Sequence, residues 1–287
     1  MRSFVFIVAF AIIFASCTST GQGDAAGETD VQANAVPSRR TREAAGQIPV
    51  EKRVLVKFAD GALDEYTVSE YDSANVLLLT QNRYSASGAL LEQTEYTYQE
   101  DTGAVTTKLI KDDENKLKSR VVYQYNDRNY LIKETFVNRA GKAVSSFEYT
   151  YDNNGNRLSR IINNGAGVKL AETVYTYKDG LVVASETKDG AGRKVSSAEN
   201  QYDSEGNLVS QKVYNANGTV TRLVSAVWEE GLELKNEQTT PDGEVQLRVS
   251  NEYGAAGELL RQTIENIQGQ STQILEYEYT FRQGQRT

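Results

Sequence analysis

The chain has 287 residues, room for one large domain or two ordinary ones, and carries a formal charge of −8 with a pI near 4.9. That balance argues against nucleic-acid binding, which needs clustered Lys and Arg to displace counterions. With no His and a single Cys, the chain lacks the commonest general base, the commonest metal ligand and any internal disulfide, so no cofactor is expected.

Residues 1–16 read as an export signal: Arg2, an apolar run from Phe4 to Phe14, then the small residues Ala15 and Ser16. Such a run is too short to span a bilayer, which takes about 20 residues. Cys17 follows directly. Phe14-Ala15-Ser16-Cys17 resembles the bacterial lipobox, with Phe14 in place of the usual Leu. The resemblance implies that Cys17 is acylated and holds the protein to a membrane. Thr18, where Asp would retain a lipoprotein at the inner membrane, implies the outer one. Residues 18–50 are rich in Gly, Ala, Ser, Thr and Gln, without a sustained apolar period. A segment of that composition buries too little to offset its ordering entropy, so residues 17–50 are expected to form an acylated Cys and flexible tether.

From residue 51 to 287 a repeat takes over. The aromatic series Tyr71, Tyr98, Tyr125, Tyr151, Tyr177, Tyr202, Trp228, Tyr253 and Tyr279 advances in steps of 25 to 27. Ten residues before each member lies Gly61, Gly88, Asn115, Gly141, Gly167, Gly192, Gly218, Gly243 or Gly269. A second turn series runs Gly103, Asn129, Gly155, Gly180, Gly206, Gly231 and Gly257, with Val76 at the matching place in the first copy. Asn is the only substitute for Gly in the regular copies, and those two residues best tolerate positive φ, so both series predict left-handed turn positions. All length variation falls between the aromatic and the second turn. An indel inside a strand would send every later side chain to the wrong face.

Between turns the pattern predicts strands. Leu158, Val183, Val209, Leu234 and Leu260 lie three past the second turn, and Ile110, Phe136, Ile162, Val213 and Ile264 lie seven past it. Tyr96/Tyr98, Tyr123/Tyr125, Tyr149/Tyr151, Tyr175/Tyr177 and Tyr277/Tyr279 are two apart and share a strand face, so they stack in rows. The first eight of these tyrosines are the candidate ligand-stacking residues. Four and five past the second turn, Lys133, Glu134, Ser159, Arg160, Lys235, Asn236, Arg261 and Gln262 leave no strand face apolar enough for lipid.

Tyr151-Asp152-Asn153-Asn154-Gly155-Asn156-Arg157-Leu158 and Tyr202-Asp203-Ser204-Glu205-Gly206-Asn207-Leu208 resemble the YD repeat of RHS-type bacterial surface and toxin-delivery proteins. The likeness extends over residues 51–287, with longer units and frequent loss of the Asp. It implies tandem hairpins coiling into a β-shell and no catalytic residues. Asp152-x-Asn154-x-Asn156 opens like a calcium loop but has Asn163 at the twelfth position, and reads as a turn. Gly165-Ala166-Gly167 and Gly190-Ala191-Gly192 also read as turns.

The expectation is therefore an all-β chain of tandem hairpins forming a long curved or coiled antiparallel meander, with a β-propeller as the alternative. The expected function is a non-catalytic envelope lipoprotein, anchored in the outer membrane, whose repeat surface serves binding of a glycan or protein ligand, or a structural role. A glycan-active enzyme and a shell-like relative of toxin-encasing RHS proteins are the alternatives.

Overall fold

The computed structural model describes residues 47–283; Cys17 and the segment before Gln47 lie outside the described residues. Eighteen strands follow in order: β1 (Gln47–Phe58), β2 (Leu63–Tyr71), β3 (Leu78–Ser85), β4 (Leu90–Tyr98), β5 (Val105–Asp112) and β6 (Leu117–Tyr125). Next come β7 (Leu131–Asn138), β8 (Ala143–Tyr151), β9 (Arg157–Asn164), β10 (Lys169–Lys178), β11 (Leu181–Asp189) and β12 (Lys194–Tyr202). The last are β13 (Leu208–Asn215), β14 (Val220–Glu229), β15 (Leu232–Thr239), β16 (Val245–Tyr253), β17 (Leu259–Asn266) and β18 (Ser271–Gln283). β1 begins at Gln47, so the expected boundary at 51 falls inside a strand, and Val50 is already buried.

Each strand pairs antiparallel with its neighbours in sequence, and β1 pairs with β18 from Gln47↔Gln283 to Phe58↔Gln273. The meander is as expected. Its curvature is complete: the sheet closes on itself as an 18-stranded barrel, and the propeller given as the alternative is not what forms. Closure leaves no strand edge, the feature that makes a long open sheet prone to aggregate.

The turns follow the glycine series. At Asp203–Asn207, the Asp203 amide donates to the Asn207 carbonyl (3.0 Å) and Gly206 sits at φ +84°. Asp203 Oδ1 accepts from the Glu205 and Asn207 amides at 2.9 Å each, tightening the turn. Asp152 does the same for Asn154 and Asn156, so this segment is a turn and not a calcium loop. The two shortest turns are two-residue loops, Asp179-Gly180 and Glu230-Gly231, with φ positive at both residues of each. Two positions differ from expectation. In the first copy Asn75, not Val76, is left-handed, and in the last hairpin Gln270, not Gly269, takes that conformation.

The rim carrying the second turn series is the one from which both ends of the described chain leave. Along it the register shifts by one residue in every returning strand, as between Thr150↔Ser159 and Tyr151↔Arg157. This bulge lies between the two apolar sets of the sequence pattern. Ile110, Phe136, Ile162, Val213 and Ile264 stay on one face, whereas Leu158 and Leu260 turn to the other and are exposed. The residue just before the bulge, such as Val182 or Leu208, joins the first face instead and is buried.

Bending a sheet into a barrel converges the side chains of its concave face and spreads those of the convex face. Most buried residues, among them Val121, Tyr149, Ala198, Val213 and Val249, share one face by pairing, so that face is the inner wall. The outer wall is a mesh of ion pairs: Lys111–Glu95 (2.6 Å), Lys133–Glu148 (2.8 Å) and Arg248 with Glu237 (2.7 Å) and Glu265 (3.3 Å). A lipid-facing barrel needs an apolar belt there, and charges near the bilayer middle cost about 2–4 kcal/mol each. This outer wall is built for water.

Candidate functional site

The nine aromatics of the repeat lie on the inner wall at the second-turn rim and make a collar around its mouth. Eight of them donate a hydrogen bond to the carbonyl twenty residues upstream, on the neighbouring strand of the preceding hairpin. Tyr98 donates to Leu78, Tyr125 to Val105, Tyr151 to Leu131 and Tyr177 to Arg157, at 2.5 to 2.9 Å. Tyr202 donates to Val182, Tyr253 to Glu233 and Tyr279 to Leu259, at 2.7 to 2.9 Å. Trp228 does the same with its indole Nε1, to Leu208 at 2.9 Å. The one Trp in the series therefore keeps the one chemical feature the position requires, a donor at the far end of a flat ring.

The reason for this position is geometric. At this rim the turns join β2 to β3, β4 to β5 and so on, which leaves the seams between hairpins without a connecting turn. The acceptor is in each case the residue just before the bulge, and the aromatic of the next hairpin reaches across the seam to it. The acceptor also faces the aromatic of its own hairpin in register, as Leu131 faces Tyr125 and Arg157 faces Tyr151. Pairing and hydrogen bond alternate, and the collar runs nearly all the way round. At the closing seam Tyr71 and Tyr279 flank Glu51, whose carboxyl burial pushes up.

One layer deeper is a belt of direct cross-strand pairs: Tyr96↔Lys108, Tyr123↔Glu134, Tyr149↔Arg160 and Tyr175↔Ser185 on one arc, Asn200↔Gln211, Ala226↔Asn236 and Asn251↔Gln262 on the other. The repeat keeps its turns constant and changes its chemistry here. The first arc is aromatic and ionic. Tyr149 donates to Glu134 Oε1 at 2.5 Å, Arg157 lies over the Tyr149 ring at 4.3 Å, and Arg160 lies over Phe147 at 5.1 Å. Burial, then the Glu134 charge, pushes the Tyr149 hydroxyl far up; burial pushes Tyr96 up to about 12 and lowers the Lys108 ammonium.

The second arc is built of amides. Gln211 Nε2 donates to Asn200 Oδ1 at 3.0 Å and Gln262 Nε2 to Asn251 Oδ1 at 2.9 Å. Asn200 and Asn251 pass the bond on to the carbonyls of Val182 and Glu233, the same carbonyls that Tyr202 and Tyr253 hold. Glu233 is 6% exposed and Asn236 1%. Asn236 Nδ2 donates to Glu233 Oε1 at 2.6 Å, while Glu233 Oε2 and Asn236 Oδ1 find no partner, and burial pushes the Glu233 carboxyl up.

The eight tyrosines singled out for stacking thus fall into two tiers. Tyr98, Tyr125, Tyr151 and Tyr177 belong to the collar, half-buried with hydroxyls engaged. Tyr96, Tyr123, Tyr149 and Tyr175 belong to the deeper belt, where the last three are at most 9% exposed and pack into the wall. The charged residues between them, Lys108, Glu134 and Arg160, share one repeat position five past the second turn. That position read in the sequence as unsuited to lipid; its inward direction depends on the bulge. Among the described residues no group of His, Cys, Asp and Glu is placed to hold a metal ion.

No protein-family profile and no curated protein matches this chain. Among solved structures it is similar to two porin-like proteins, from Bacteroides uniformis and Bacteroides vulgatus. Identity is 13% and 12%, coverage 80% and 81% of this chain and 98% and 99% of theirs, and TM-scores are 0.43 and 0.36. It is also similar to the Tc holotoxin pore of Photorhabdus luminescens, at 11% identity and a TM-score of 0.30, over 78% of this chain and 15% of that one. At such TM-scores these likenesses add nothing to the barrel read from strand pairing.

Proposed function

We propose that the protein is a non-catalytic lipoprotein of the bacterial cell envelope, held to the outer membrane through Cys17, whose barrel binds a glycan or protein ligand at its aromatic collar. The observation that carries the reading is the collar itself: nine flat rings at one level around one mouth, eight of them tied at their donor ends, their faces half-covered. Aromatic faces held rigid in this way suit stacking against sugar rings or peptide side chains at low entropic cost. A catalytic role is not part of the reading; two inner-wall carboxylates hold structural bonds, Glu134 with Tyr149 and Glu233 with Asn236. Self-closure at 18 strands favours a free-standing module over an arc of a larger toxin shell.

Trp228 is the only Trp in the chain and stands in the collar, so its emission reports what enters the mouth. Titration with envelope and host glycans and with peptides is expected to find a class that shifts this emission, with binding weakened at least several-fold by Tyr98→Ala or Tyr125→Ala. A ligand that binds without moving the emission, and is indifferent to both substitutions, would contradict the collar as its site.

A further inference from the structure

The barrel is not evenly coated. At the second-turn rim, Leu260 on β17, Phe281 on β18, Ile48 on β1, Val76 in the β2–β3 turn and Leu79 on β3 are neighbours in the sheet order and all exposed, from 39% for Ile48 to 54% for Val76. Ile48 and Phe281 stand on the parts of β1 and β18 that run past the other strands. Ile48, Leu79 and Leu260 face outward, and Phe281, on the face of Tyr277 and Tyr279, stands past the collar at the same edge; large apolar side chains gathered at one edge mark a contact surface.

We propose that this edge of the rim rests on the bilayer that holds Cys17, with these side chains entering the lipid interface. The inference rests on the lipoprotein reading above. Three observations favour lipid over a protein partner. Both ends of the described chain leave the barrel at this edge, at Gln47 and Gln283, so an anchor on Cys17 holds this edge nearer the membrane than the opposite rim. The tether expected from the sequence is short, 47 − 17 = 30 residues; a flexible chain of that length would span about 30 Å, which would bring the edge to the surface at high effective concentration, so that each contact need contribute little. Some of the local charge is paired: Arg53 lies 3.9 Å from Glu278, and the Val76 and Leu77 amides, with Arg282 behind them, hold the Asp72 carboxyl down. An apolar edge with paired charges suits the interface of a chain whose net charge of −8 would be repelled by anionic headgroups.

A second exposed apolar group surrounds Val168 on the opposite rim, where no chain end leaves, and serves as the internal control. The full-length protein, with a fluorescent amino acid in place of Leu79, Phe281 or Val168, would be reconstituted into phosphatidylethanolamine–phosphatidylglycerol vesicles carrying quenchers at known depths. The expected result is quenching from the headgroup and shallow acyl region at positions 79 and 281, little changed by salt, with position 168 left in water. Acylated protein whose probes at 79 and 281 stay in water would overturn the inference, as would equal quenching at 168. Failure of the lipoprotein reading looks different: alkyne fatty acid would not label Cys17, or would still label Cys17→Ser. In that case coupling Cys17 chemically to a maleimide lipid restores the tether, and the same depth measurement still decides whether this edge seats on the membrane.

Discussion

The side chain that defines each repeat is an aromatic with a donor at its tip, and its value differs from copy to copy in a way that can be measured. Tyr177→Phe withdraws the donor from the Arg157 carbonyl, whereas Tyr202→Phe leaves the Val182 carbonyl with the Asn200 amide at 2.8 Å. An intramolecular hydrogen bond contributes about 0.5–1.5 kcal/mol net, and an acceptor left unpaired costs somewhat more. Urea unfolding should therefore place Tyr177→Phe about 1 kcal/mol below the parent and Tyr202→Phe closer to it. Equal losses would mean that the seam bonds are not what these hydroxyls contribute.

Glu233 is the second residue whose behaviour follows from its surroundings. Its carboxyl is pushed up by burial, its Oε2 has no partner, and the neighbouring Asn236 Oδ1 lacks one too. When protonated, Glu233 has a hydroxyl to offer that acceptor; when ionised, it is a buried charge with no cation against it in the amide arc. The folded-state pKa lies above the unfolded value, so the contribution of the neutral acid is fully present below the unfolded pKa near 4.5. It is lost as pH rises through the folded pKa. Glu233→Gln keeps the shape and removes the charge. It should raise the melting temperature at pH 8 and leave it nearly unchanged at pH 4, a difference of order 1–3 kcal/mol. A gain of the same size at both pH values would point to packing, not ionisation.

At the scale of the element, the hairpin is the unit that the sequence writes most openly. Turn glycines were legible because φ above zero leaves so few residues to choose from, and Asn115 and Asn129 confirm the rule at φ +63° and +60°. The faces were half legible. Tyr pairs two apart do share a wall, but Leu158 and Ile162, four apart, do not, because a one-residue bulge between them carries no residue signature of its own. A hairpin also fixes what may be removed. Deleting Tyr177 through Gln201 takes out one whole period and leaves 18 − 2 = 16 strands, still antiparallel at every seam. Deleting β11 alone leaves 18 − 1 = 17, so β1 and β18 would meet parallel and lose their register. Circular dichroism and gel filtration should find the first variant folded and compact, if less stable, and the second aggregated or unfolded.

The whole molecule is where the sequence was least informative. Nothing local in Gln47–Phe58 announces a partner more than two hundred residues away. β1 shares the Gly61 turn with β2, but no aromatic and no glycine or asparagine of the second turn series precedes it, so the repeat pattern gives no start for this strand and the expected domain boundary fell inside it. The repeat alone is compatible with an open array, since each unit touches mainly its neighbours. What turns the array into a barrel, and so gives the collar an inside, is the β1–β18 ladder. Leu55 and Glu276 are direct partners in that ladder, on the outer wall. Antiparallel partners lie about 4.5–5.5 Å apart at Cα, within the span a disulfide bridges. Oxidation of the full-length protein carrying Leu55→Cys and Glu276→Cys should cross-link nearly completely and shift its mobility on a denaturing gel. The offset pair Leu55→Cys and Thr272→Cys should stay reduced. A barrel that closes as described gives that pattern; absence of the first cross-link, or equal yield from both pairs, would contradict it.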